Sequence, residues 1–156
     1  MSGPDGSVQR VPVIVEDRAR GGVAVGLPFD PADAWGELDA YHVHGTLGGQ
    51  PYRGALVQAD TWRLELGPSW CRAPGFGPGD TVELVMAPEG PRSGSMGADV
   101  AAAFAAEPDA ARFFDSMPSF YRNNAARALE TAKRPETRAR RVADIVELAR
   151  QRKRER

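Results

Sequence analysis

Residues 40–66 read AYHVHGTLGGQPYRGALVQADTWRLEL, and this stretch decides the architecture of the first half of the chain. Tyr41, Val43 and Leu47 fall on one side of an extended chain and His42, His44 and Thr46 on the other, because successive strand side chains point to opposite faces. Gly48-Gly49 breaks the alternation before it resumes over 52–59, a pattern that predicts a hairpin. Residues 61–66 repeat it, with Trp62, Leu64 and Leu66 opposite Arg63 and Glu65, and are expected to pair with the strand before them.

Toward the N-terminus, VPVIV at 11–15 is β-branched and reads as a first strand, which Pro12 consigns to a sheet edge because proline lacks an N–H. A second strand follows at 23–27. In the PFDP segment after it, Asp30 is placed to cap a short helix, Pro31 to occupy its first position, and Gly36 to end it after Trp35. Beyond residue 66, Gly67-Pro68 stops the strand and Ser69 starts one helical turn through Trp70, Cys71 and Arg72. Gly75, Gly77 and Gly79 punctuate the return to a last strand at 81–87. Six short strands with tight turns predict a closed or nearly closed small β-barrel over 11–88, since closure removes exposed edges. Residues 1–10, MSGPDGSVQR, are expected to be a flexible N-terminus.

Residues 89–97, EGPRSGSMG, form a linker, after which the apolar period changes from two to that of helices. The helical module over 98–156 starts with an Ala-rich helix at 98–107. Pro108 opens a second helix through Asp115, and Pro118 a third carrying Phe120, Ala125, Ala128, Leu129 and Ala132. Pro135 opens a fourth, where Val142, Ile145, Val146 and Ala149 recur at i, i+3, i+4, i+7 as one apolar stripe. The fold class is α+β.

A chain of 156 residues has the size of one domain, or of a small domain with an appendage. Its single cysteine, Cys71, cannot form an internal bridge, and the polar start carries no secretory signal, so a reducing, cytoplasmic setting is expected. The longest nearly uncharged apolar stretch, 96–106, contains Asp99 and falls far short of the ~20 residues of a membrane-spanning helix. The net charge of -1 hides an asymmetry: residues 133–156 hold ten basic against four acidic side chains. Such a tail suits nucleic acid or an anionic surface, or folds against its own acidic body. The acidic body and the pI near 6.1 argue against nucleic acid.

His42 and His44 share a strand face, a spacing that can bring two imidazoles to one metal, with Cys71 as a conceivable third ligand. There is no further histidine and no CxxC or HExxH, so no metal or other cofactor is assigned, and two partly exposed strand histidines are the plainer reading. Cys71, at the start of a helical turn beside Arg72, has the setting of a nucleophile, or else packs beside Trp70. Asp30, Asp33, Glu37 and Asp39 cluster near the short helix and suit either acid–base work or capping and solvation. The glycines at 75–79 follow neither phosphate-loop pattern. Trp62 and Trp70 with Arg53 and Arg72, joined by Trp35 and Arg63, suit a ligand mouth for small anionic or planar molecules, against the alternative of tryptophans in the core and arginines in solvent.

LPFDPADAWG at 27–36, VHGTLGGQPYRGAL at 43–56 and GFGPGDTVEL at 75–84 resemble the small barrel domain of unknown function that commonly precedes a YdeI/OmpD-associated helical module. FFDSMPSFYR at 113–122 and AKRPETRARRV at 132–142 resemble that module. The resemblance implies a double-split barrel similar to those of AbrB-like proteins, followed by a helical domain with a bacteriocin-protection label and no established reaction. The chain departs from the pattern at Ala125 and Ala128, where aromatic residues are usual, and at 68–72, where PSWCR replaces a Lys/Arg-rich segment. His42 and His44 stand at positions more often basic or polar.

Three functions follow as expectations. The first, implied by the family label, is a non-catalytic protective or stress-type protein that binds a small molecule, peptide or protein partner. The second is an enzyme or self-resistance protein of specialised metabolism, with Trp62, Trp70, Cys71, His42 and His44 around the barrel mouth. The third is a weak nucleic-acid binder. Whether a reaction is catalysed stays open.

Overall fold

The computed structural model describes residues 8–18, 20–72 and 75–152, with Arg72 described by its backbone alone. Residues 1–7 of the expected flexible N-terminus and 153–156 of the expected helical module lie outside the described residues; Gln9 and Arg10 already belong to a strand. The fold is α+β, with antiparallel sheets in the N-terminal part and most of the helices in the C-terminal part. Two compact units are formed, one by the described residues up to Glu37 together with Tyr41–Glu89, the other by Leu38–Ala40 together with the described residues from Gly90 onward.

In the first unit, β1 (Gln9–Ile14), β8 (Thr81–Pro88), β4 (His42–Leu47) and β5 (Gln50–Ala55) make one sheet in that order. A second sheet runs β2 (Glu16–Asp17), β3 (Val23–Gly26), β7 (Trp62–Leu66), β6 (Val57–Gln58). Among the described residues the ladders form these two four-stranded sheets, with β1 beside β3 and β5 beside β7. β1 lies at an edge, as Pro12 requires.

The expected strand over 52–59 divides at Leu56. Its N–H donates to Tyr41 O at 2.9 Å and its side chain is buried, so the chain turns a corner there. β5 stays with β4, and only Val57 and Gln58 pair with β7.

Val15, Val25, Val43, Leu47, Leu64, Leu84 and Met86 form the core between the sheets, each nearly or wholly shielded from water. Gly45 is required where β4 meets β8: a Cβ there would lie 1.9 Å from Val85 O. The room it leaves lets the Tyr52 hydroxyl cross from β5 and donate to the same oxygen at 2.8 Å. Burial raises the Tyr52 phenol above its ordinary pKa.

The short helix α1 (Pro31–Trp35) forms as its sequence dictates. Asp30 Oδ1 accepts from Ala32 N–H at 2.9 Å, and Gly36, at φ 92°, closes it by donating to Ala32 O at 2.9 Å. After β7 comes a single 3₁₀ turn (Trp70–Arg72).

The second unit packs α2 (Ala98–Ala105), α3 (Pro108–Ser116), α4 (Ser119–Glu130) and α5 (Pro135–Arg150) around Val100, Phe104, Phe114, Leu129, Val142 and Val146. α5 contacts each of the other three. Its apolar stripe faces this core, with Val142, Val146 and Ala149 buried and Ile145 partly so. Phe120 is 64% exposed despite its place in α4, because nine residues at ~100° each put it half a turn away from buried Leu129. Among the described residues no helix is long and apolar enough to cross a membrane.

Candidate functional site

The β3–α1 loop and the β6–β7 hairpin frame an open pocket of about 420 Å³ in the first unit. Leu27 N–H donates to Trp62 O at 3.0 Å, extending the β3–β7 ladder by one step and fixing how the loop leaves the sheet. Ala59 N–H donates to Thr61 O at 3.0 Å and tightens the hairpin on the other side. Phe29, Trp62, Pro28 and Pro31 supply the apolar walls, and Asp30 and Asp60 the charge. Among the described residues no basic side chain lines the pocket. Both prolines have fixed φ and no N–H, which stiffens that wall.

The rings behind the walls form a continuous series. Phe29 meets Trp35 edge-on at 5.5 Å, Trp35 meets Tyr41 at 6.3 Å, and Tyr41 meets Trp62 edge-on at 5.0 Å. Trp35 is fully buried, and the Tyr41 hydroxyl donates to Gly36 O at 2.7 Å. Both aromatic walls therefore rest on one rigid pair, Trp35 and Tyr41.

The other candidates from the sequence lie elsewhere. Trp70 docks on the turn end of the β4–β5 hairpin: its indole N–H donates to Pro51 O at 2.7 Å, its carbonyl accepts from Gln50 Nε2 at 2.8 Å, and its ring lies beside Phe76. Trp62 packs on Tyr41 at the opposite end of that hairpin, so the length of the six-residue β4, ~20 Å at 3.3 Å per residue, lies between the two tryptophans. The structure does not bring them to one mouth.

Arg53 forks onto Glu89 with two contacts of 2.8 Å, and Arg63 donates to Glu16 at 3.1 Å. The Arg72 side chain lies outside the described residues. His44 is exposed across the ladder from Arg53, and His42 is half-buried opposite Ala55. Cys71 is half-buried, its N–H donating to Pro68 O at 3.1 Å. Among the described residues no three His, Cys, Asp or Glu side chains come together as metal ligands. Of the carboxylates near α1, Asp30 caps that helix, while Asp39 pairs with Arg112 at 2.8 Å.

In the second unit the basic signature is occupied by helix ends. Arg138 forks onto Asp99 at 2.7 and 3.0 Å and also donates to Met96 O at 3.0 Å. Arg141 donates to Ala128 O at 2.6 Å, and Arg138 reaches Leu129 O at 3.4 Å, so both arginines sit on the last carbonyls of α4, where positive charge is favoured. The hydrogen bond from Arg138 holds the Asp99 carboxyl down at about 2. Arg122, only 2% exposed, donates to Met117 O at 2.9 Å and Pro91 O at 2.6 Å, joining the segment before α2 to the start of α4.

Phe29, Asp60 and Arg122 had no place among the sequence candidates. The signal for the first two lies in PFDP and ADTW, two Asp-containing turns each holding an aromatic residue. Arg122 gave none, because an arginine among FYRNN reads as surface.

Compared with protein-family models, residues 12–86 match a domain of unknown function (DUF1905), and residues 95–152 match the family described as bacteriocin-protection, YdeI or OmpD-associated. A search among curated proteins finds no match. The two matches follow one another in the order the resemblance implies: residues 12–86 are similar to the DUF1905 domain, and residues 95–152 to the YdeI or OmpD-associated family.

Proposed function

We propose that this is a non-catalytic binding protein of the cytoplasm, of protective or stress-response type, whose first unit receives a small ligand. The observation that carries this reading is the pocket walled by Phe29 and Trp62, because concave sites with aromatic walls and a few polar groups are where small molecules bind. The bacteriocin-protection description of the helical half agrees with a protective role. The two sheets, with β1 beside β3 and β5 beside β7, are read as the halves of a double-split barrel.

The enzyme reading draws on Cys71, His42 and His44, residues the pocket lining does not include. The nucleic-acid reading loses Arg122, Arg138 and Arg141, whose donors are engaged with carbonyls and Asp99. The test is a panel of small molecules followed by NMR of the three indole N–H groups, with Trp62→Ala as control. Ligands that move the Trp62 resonance, leave Trp70 in place and lose affinity in Trp62→Ala support the reading. Consistent movement of Trp70 instead, or ligand turnover lost in Cys71→Ser, defeats it.

A further inference from the structure

We infer that the pocket between residues 27–31 and 58–62 takes a compact organic cation of the substituted-ammonium class. The inference rests on the pocket being the binding site and adds which charge it selects.

Among the described residues the lining carries two carboxylates, Asp30 and Asp60, and no Lys, Arg or His. Asp60 is exposed in the β6–β7 turn and forms no ion pair among the described residues. Asp30 is held in place by the hydrogen bond that Ala32 N–H gives to its Oδ1, a neutral partner that leaves the carboxylate charge uncompensated. The basic group nearest in sequence, Arg63, does not line the pocket: its guanidinium lies beside Gly26 and is paired with Glu16 at 3.1 Å. Among the described residues, no side chain lining the pocket therefore neutralises the two carboxylates.

The surrounding field has the same sign. Residues 11–89 contain eleven acidic and five basic side chains, so the first half of the chain draws cations and repels anions. Aromatic walls suit that charge as well, because aromatic rings attract an ammonium group and accept its methyl or methylene groups, and Trp62 and Phe29 supply such rings in the lining. A strongly hydrated metal cation would gain nothing from such rings, and an anion would meet both carboxylates. A substituted ammonium, with charge spread over an apolar surface, suits walls and charge together.

The experiment uses the full chain and three compounds of closely similar shape: choline, its uncharged isostere 3,3-dimethylbutan-1-ol, and the anion 3,3-dimethylbutanoate. Binding is followed at the Trp62 indole N–H. Choline is expected to bind at least ~10-fold more tightly than the alcohol, with no binding by the anion. Raising ionic strength from ~0.02 to ~0.5 M should weaken choline several-fold and leave the alcohol unchanged. Asp60→Asn, at an exposed turn, should do the same without altering the unfolding midpoint. Equal or tighter binding of the alcohol at Trp62, or choline binding indifferent to Asp60→Asn and to salt, overturns the assignment of charge while the pocket remains a binding site. No response of Trp62 to any of the three compounds overturns the charge assignment and the pocket reading together.

Discussion

Replacing Gly45 by alanine tests the packing of the first unit at its tightest point. Gly45 lies opposite Met86 on one side and Tyr52 on the other, and an added Cβ would stand 1.9 Å from Val85 O and 2.7 Å from Val85 C. These are backbone atoms, so no side-chain rotation relieves the clash. β4 and β8 must part by more than ~1 Å, which weakens one or two ladder hydrogen bonds at ~0.5–1.5 kcal/mol each and adds overpacking strain of ~1–3 kcal/mol. The bond from the Tyr52 hydroxyl to Val85 O, 2.8 Å long, is disturbed as well. Together these terms predict a loss of ~2–5 kcal/mol, or a fall in Tm of ~10 °C or more for a unit of this size. Trp35, Trp62 and Trp70 all belong to the first unit, so tryptophan fluorescence during urea unfolding reads it selectively. Tyr52→Phe, which removes only the hydroxyl, should lose ~1–2 kcal/mol. A Gly45→Ala protein within ~0.5 kcal/mol of the wild type, the ordinary scatter of surface substitutions, would refute the close β4–β8 approach.

In the second unit, Arg122→Met removes the donors to Met117 O and Pro91 O and should cost ~2–4 kcal/mol, read by helical circular dichroism in urea; an unchanged midpoint would count against a structural arginine. Ile145→Asp places a charge against the helical core and should lower the same midpoint by several kcal/mol, whereas an unaltered midpoint would mean that α5 is not packed there. Asp99 titrates near 2 in the folded protein against an ordinary 3.8, so its contribution is fully present above about 3.8 and is lost as pH falls through about 2. The stability difference between wild type and Asp99→Asn should shrink across that window, and a pH-independent difference would exclude the Arg138 pair as its source. Cys71, half-buried beside the docked Trp70, should react with iodoacetamide at least ~10-fold more slowly in native than in unfolded protein; equal rates would show it freely accessible.

Legibility in the sequence followed the range of the interactions. Asp30, Pro31 and Gly36 define α1 through bonds spanning two to four residues, and the structure reproduces that reading atom by atom. The proline-opened helices and the Val142/Val146/Ala149 stripe were legible for the same reason. The corner at Leu56 was not, because the run 52–59 shows no break in sequence, and the division depends on Tyr41, fifteen positions away, accepting the Leu56 N–H. Arg122 shows the same limit: its burial is set by carbonyls at Met117 and Pro91, which no periodicity announces. Trp62 and Trp70 were placed on a strand and a turn correctly, but whether they share a site depends on sheet order, and that separates them.

The two halves of the chain put their most recognisable segments to different uses. In AKRPETRARRV the basic residues Arg138 and Arg141 hold the end of α4 and the start of α2, so a segment that reads as a charged binding surface contributes to folding. LPFDP does both at once. Asp30 caps α1 with one oxygen, Phe29 leans on the buried Trp35, and the same five residues form one wall of the pocket. The opposite wall, Trp62, reaches Trp35 through Tyr41. The spacing between the pocket's aromatic faces is thereby set by core packing, which is the condition under which an exposed site is preorganised for a ligand without a moving part.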